Sequence, residues 1–109
     1  MSIWNLFGKS PDGPSLEKGL EEWKNTPGAA LLDVRTREEY AGGHVPGSVN
    51  LPLDEVEGIR EDPGTPLFVY CRSGARSQRA CDWLAGHGYR AVNIGGVMGY
   101  QGPLETGEE

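Results

Sequence analysis

Seven consecutive residues, Cys71-Arg72-Ser73-Gly74-Ala75-Arg76-Ser77, put a nucleophile beside cations, hydroxyls and a glycine. They follow the apolar run Leu67-Phe68-Val69-Tyr70 and lead into a helix predicted over 77–85. Four apolar residues between turn signals suit a strand buried on both faces. A short glycine-containing loop from such a strand into a helix turns successive N–H groups toward one point. The positive end of the helix dipole lies at the same point. A cysteine there, with arginines one and five residues on, has three reasons to ionise. A free thiol titrates near about 8.5, and helix N-termini with nearby arginine bring this toward roughly 3.5–7.5. Each unit is worth about 1.4 kcal/mol of preference for the charged form. The stretch predicts a nucleophilic thiolate facing an anion-binding cradle.

The remaining polar residues divide between this chemistry and its support. Arg72 and Arg76 are expected to contact an anionic donor, Arg76 more firmly because it lies near the helix start. The hydroxyls of Ser73 and Ser77 fit two roles, donation to the sulfur or capping of the helix. Asp33 and Arg35 are expected to form an ion pair or cap-like contact that braces the site from a neighbouring strand end. His44 stands in a His-Val-Pro-Gly turn, which favours a backbone-fixing role over a thiol–imidazole couple. Cys81 shares a helical face with Ser77, Ala80 and Leu84 and reads as inert core. Ten mostly helical residues separate the two cysteines by roughly 12–15 Å, beyond the about 7 Å that a disulfide tolerates.

Composition narrows the partners. At 109 residues the chain suits one small domain with a single core and no need of metals or disulfides. Its 17 glycines and 8 prolines call for many tight connections. The net charge of −6 and the absence of a basic stripe argue against a nucleic-acid partner. Positive charge is concentrated locally at Arg72, Arg76 and Arg79, which suits a small anion. Residues 1–9 lack a basic n-region and an adequate apolar h-region, and no later segment is long enough to span a bilayer. No signal peptide, no membrane partner and a cytoplasmic location are therefore expected. Ile3, Trp4, Leu6 and Phe7 are expected to fold back onto the core as part of an extension over 1–14.

Elements alternate along the chain. Ser15 is an N-cap for a helix carrying Leu16, Leu20 and Trp23, stopped near Thr26-Pro27-Gly28. Ala30–Val34 reads as a buried strand, and Thr36-Arg37-Glu38-Glu39 as the capping box of a short helix ending at Gly42-Gly43. Ser48–Leu51 is a short strand, and Asp54 and Glu57 are expected to cap a weak helix bearing Val56 and Ile59. After the helix over 77–85, Gly86 or Gly88 is the stop, Ala91–Ile94 the last strand and Gly95-Gly96 a turn. Leu104–Glu109 reads as a frayed acidic tail. This alternation predicts an α/β fold, a small parallel sheet flanked by helices on both faces. Ligands of such sheets bind beyond the strand C-termini, where Asp33-Val34-Arg35 and Cys71 both fall.

Four ordered pieces carry a family resemblance over roughly residues 15–100. They are Asp33-Val34-Arg35 with Glu39-Tyr40, then Gly43-His44-Val45-Pro46-Gly47-Ser48-Val49-Asn50-Leu51-Pro52. Tyr70 to Ser77 and Gly88-Tyr89 with Val92-Asn93 and Gly95-Gly96 complete the set. The chain resembles a single-domain rhodanese, a domain of the thiosulfate sulfurtransferase family, with the domain itself over 15–103. The resemblance implies that Cys71 carries a persulfide and that Arg72 to Ser77 wrap around it. It implies a transferase moving sulfane sulfur from a small anionic donor such as thiosulfate to a thiol or protein-cysteine acceptor. No cofactor or metal is expected. A persulfide-carrying or protein-binding module with little turnover is the alternative. The related cysteine phosphatases need Cys-x5-Arg to grip phosphate; here the sixth residue after Cys71 is Ser77, and Arg76 is one short. Two departures stand out: residues 1–14 offer no clean first strand, and Gly99-Tyr100 stands where many members carry a helical tryptophan.

Overall fold

Strict alternation along the two apolar runs builds two packing layers. A computed structural model of the chain describes residues 15–107. In chain order these form α1 (Leu16–Lys24), β1 (Ala30–Asp33), α2 (Arg37–Gly42), β2 (Val49–Asn50), a 3-10 helix (Leu53–Gly58), β3 (Pro66–Cys71), α3 (Ala75–Gly86) and β4 (Arg90–Gly96). The strands make one parallel sheet in the order β2-β1-β3-β4. Leu31, Phe68, Tyr70 and Ile94 pack with Leu16 and Leu20 of α1. Leu32, Leu67, Val69 and Cys71 pack on the opposite face with Ala80, Cys81 and Leu84 of α3 and Val56 of the 3-10 helix. Successive side chains of a strand point to opposite faces, so both faces of the apolar strands are covered. The α/β architecture is as the sequence predicts.

The chain leaves β1 toward one edge of the sheet, at β2, and leaves β3 toward the other, at β4. The reversal lies between β1 and β3, whose carboxyl ends are Asp33 and Cys71. A parallel sheet opens a crevice at such a point, because the two connections diverge.

Local signals held in several places. Ser15 Oγ accepts the Lys18 N–H at the start of α1, and Thr36 with Glu39 forms a complete capping box on α2. Other boundaries moved. β3 takes in Pro66 and Cys71, and α3 begins at Ala75 rather than Ser77, because Gly74 turns the chain with φ +99°. The segment after Pro52 is a 3-10 helix without a side-chain cap, so Asp54 does not cap it. Gly88, at φ +88°, is the left-handed residue that ends α3, where the Tyr89 N–H reaches the Leu84 carbonyl at 3.0 Å.

Gly95-Gly96 is not a turn but the end of β4. A Cβ on Gly96 would lie 2.1 Å from the Arg72 carbonyl oxygen, so only glycine lets this strand reach the Cys71 loop. Among the described residues no helix follows β4; Tyr100 N–H closes a turn on Val97 O at 2.9 Å. The fraying expected from Leu104 does not extend through 104–107. Glu105 exchanges two 2.8 Å backbone hydrogen bonds with His44, and Gly107 N–H reaches Ala41 O at 2.9 Å. Those bonds are long-range, which local sequence does not reveal. The expectations for Ile3, Trp4, Leu6 and Phe7 and for a first strand in 1–14 lie outside the described residues.

Candidate functional site

Cys71 ends β3 and is buried, with its sulfur under the first turn of α3. That helix has no capping side chain at Gly74. The sulfur takes the place of one. Cys71 Sγ accepts the Gly74 N–H at 2.9 Å and the Ser77 N–H at 3.4 Å, groups that a helix start otherwise leaves unpaired. Ser77 Oγ also lies 3.4 Å away. Burial pushes the Cys71 thiol up. The Ser77 hydroxyl and the backbone N–H groups of Ser77, Gly74 and Ser73 outweigh it, and the thiol sits below its ordinary value. Cys81 has burial without donors, and its thiol is pushed up to about 12. Both cysteines are free. The two thiols of one chain are thus driven in opposite directions by their surroundings.

A polar ring behind Ser77 holds the loop. Ser77 Oγ lies 2.7 Å from Asn93 Oδ1, and the same oxygen accepts the Gly95 N–H at 3.0 Å. Asn93 Nδ2 donates to the Gly74 carbonyl at 3.0 Å and to Gln78 Oε1 at 3.2 Å. Val97 and Met98 N–H groups reach the carbonyls of Cys71 and Arg72 at 3.0 and 2.9 Å. Asn93 was not among the site residues expected from the sequence. Its signal was there: one amide in the otherwise apolar run Ala91-Val92-Asn93-Ile94.

The arginines are placed unequally. Arg76, in the first turn of α3, presents both terminal nitrogens to Glu39 of α2, Nη1–Oε1 at 2.7 Å and Nη2–Oε2 at 2.9 Å. The sequence assigned it no such partner. Arg72 and Ser73 are exposed, and Arg72 makes no ion pair among the described residues. Ala75 is exposed at the first helical position. Beside Arg76 runs a groove of about 490 Å³ lined by Thr36, Leu53, Val56, Arg79 and Trp83.

Asp33 and Arg35 form the expected ion pair, fully inside the protein. Arg35 Nη2 lies 2.7 Å from Asp33 Oδ2 and also donates to the Gly43 carbonyl at 2.7 Å. The guanidinium stands 5.8 Å from the Tyr70 ring centre, in the α1 layer, so it braces the strand ends from the face opposite the sulfur. His44 is buried, stacked on Tyr40 at 3.7 Å, with Nδ1 donating to the Tyr40 carbonyl at 2.8 Å. Tyr70 Oη accepts the Val45 N–H at 3.0 Å, so the His44-Val45-Pro46-Gly47 turn is anchored to β3.

Comparison with known proteins agrees with this fold. The family model described as rhodanese-like domain matches residues 15–102. A sulfurtransferase of Allochromatium vinosum is 37% identical over 93 residues, covering 82% of this chain and 84% of that one. A putative sulfur carrier protein of Bacillus subtilis is 34% identical over 80 residues, 72% of this chain and 43% of the other. A solved rhodanese with anions from E. coli superposes with a TM-score of 0.65 at 33% identity, covering 72% of this chain and 99% of that one.

Proposed function

The chain belongs to the rhodanese-like domain family, and on that premise we propose that it moves sulfane sulfur from a donor such as thiosulfate to a thiophilic acceptor through a persulfide on Cys71. The observation that carries this reading is the set of N–H donors converging on Cys71 Sγ. Cys71 thiolate attacks the outer sulfur of thiosulfate. The S–S bond breaks, its electron pair leaves with sulfite, and Cys71 holds a persulfide anion. The cradle that favours the thiolate also favours the anions that form and depart. An acceptor then attacks the outer persulfide sulfur and restores the thiolate: cyanide in an assay, giving thiocyanate, or a thiol or protein cysteine in a cell, giving a new persulfide. No step calls for a metal or organic cofactor. Arg72, exposed beside the loop, attracts the anionic donor, while Ser73, Gly74, Ala75, Arg76 and Ser77 shape the cradle.

Relatives named sulfurtransferase support a transferase. A carrier with little turnover is the second reading. It is favoured by the sulfur-carrier relative and by the occupation of Arg76 by Glu39, which leaves the loop weakly charged toward a dianion. Two free thiols suit a reducing compartment, the proposed cytoplasmic location; no helix among the described residues is long and apolar enough to cross a membrane.

Intact mass before and after thiosulfate tests the persulfide: one added sulfur atom on Cys71 is expected, and no added mass sinks the mechanism. Steady-state turnover with excess thiosulfate and cyanide separates the readings. Sustained thiocyanate release identifies the enzyme, and loading without release the carrier.

A further inference from the structure

Ser77 has one hydroxyl proton and three acceptors within reach. Asn93 Oδ1 is at 2.7 Å, Cys71 Sγ at 3.4 Å and the Gly95 carbonyl at 3.5 Å. The carboxamide cannot be turned to offer its nitrogen instead. Nδ2 already faces two acceptors, Gly74 O and Gln78 Oε1, and Oδ1 already faces the Gly95 N–H. A flipped amide would set oxygen against oxygen and N–H against N–H. Oδ1 has no proton, so the short contact exists only if Ser77 donates to it.

We propose that Asn93 is a positioning residue for Cys71, its carboxamide oxygen competing with the sulfur for the one proton of the Ser77 hydroxyl. With Cys71 neutral, the hydroxyl donates to Asn93, and its lone pair faces the thiol. When the thiol proton leaves to water, the hydroxyl swings to the thiolate and Asn93 Oδ1 keeps only the Gly95 N–H. The Asn93 N–H group meanwhile holds the Gly74 carbonyl and so keeps the Gly74 N–H aimed at the sulfur. The charge state of Cys71 is thereby linked to the hydrogen bonding of β4.

Other groups act on the same sulfur. They are Arg76 and Cys81 on α3, with Glu39 on α2 and Asp33 at the end of β1 acting through Arg76. A single substitution at Asn93 mixes loop loosening with release of the hydroxyl. A double-mutant cycle removes the mixture. The ionisation of Cys71 is read from the pH dependence of alkylation by iodoacetamide, with Asn93→Ala measured alone and together with Ser77→Ala. Added to Ser77→Ala, the Asn93 substitution only loosens the loop and raises the midpoint. With Ser77 intact, the freed hydroxyl opposes that rise, so the shift should lie lower by about half a pH unit or more, the scale of one hydrogen bond. Equal shifts in both backgrounds overturn the proposal.

A second measurement needs no Asn93 variant. In the unaltered protein the Asn93 carboxamide carbon, followed by NMR, should titrate with the Cys71 midpoint, and in Ser77→Ala its excursion should shrink. A flat carbon in the unaltered protein, or an unchanged excursion without the hydroxyl, defeats the idea. The inference rests on Cys71 as the reactive group of the proposed function. Neither measurement uses a sulfur donor, so absent sulfur loading with a positive cycle would sink the transfer reading alone.

Discussion

Arg76 and Glu39 meet as a two-bond fork between the first turns of α3 and α2, at 2.7 and 2.9 Å. The fork neutralises the cation nearest the helix start, so the loop beside Cys71 offers less net charge than its sequence suggests. Planar guanidinium and carboxylate match in geometry, which a lysine would not reproduce.

Glu39→Gln should therefore free the Arg76 charge for a donor. The thiosulfate KM is expected to fall roughly two- to fivefold, more at low ionic strength where charges are least screened. The alkylation midpoint of Cys71 should also move down. Arg76→Ala should do the reverse, leaving Glu39 unopposed near the sulfur. Steady-state kinetics at two salt concentrations check both; an unchanged KM in Glu39→Gln would show that Arg76 does not meet the donor.

The same pair gives a pH signature. The Arg76 guanidinium holds the Glu39 carboxyl at about 2 in the folded chain, below the roughly 4.3 of an unfolded glutamate. A depressed folded value means the stabilisation is complete above about pH 4.3 and fades as pH falls toward 2. The Tm difference between the unaltered protein and Glu39→Gln should be constant above that range and vanish at its acid end. A difference that grows on acidification would contradict the assignment.

Cys71→Ser should abolish sulfur loading, because a hydroxyl there stays protonated. Cys81→Ser should keep loading while costing about 1–3 kcal/mol of stability, since it buries a hydroxyl among Leu32, Val69 and Leu84. Mass after thiosulfate and denaturant melts separate the two effects. Loading that persists without Cys71 and disappears without Cys81 would reverse their roles.

Gly96→Ala should displace the Cys71 loop, because its Cβ would sit 2.1 Å from the Arg72 carbonyl. A loss of about 1–3 kcal/mol is expected, with slower alkylation of Cys71. Gly86→Ala, at a helical position with nothing within 4 Å, is the control and should be neutral or stabilising by up to about 1 kcal/mol.

Aryl phosphate hydrolysis should stay at background. The sixth residue after Cys71 is Ser77, whose side chain is buried against Asn93 and has no room for an arginine. Cys71-dependent phosphatase turnover would refute the loop-length argument.

Short-range signals settled much of this protein from sequence alone. The parallel α/β fold follows from apolar runs alternating with helical patterns. The caps at Ser15 and Thr36 follow from residues three positions apart, and the N–H donors around Cys71 follow from a strand, a glycine and a helix in succession. The burial of Cys81 in the core was legible from its helical face. Tertiary structure decided what distant segments do to one another. It tied Arg76 to Glu39, 37 positions away, and set Asn93 against Ser77, 16 away. It also paired Glu105 with His44 and extended β4 through the two glycines beside Arg72. Periodicity and capping reflect the cost of local backbone groups and recur within a turn or two of chain. The sharing of a single proton or guanidinium depends on which side chains the packed sheet brings within 3 Å, and no local pattern encodes that.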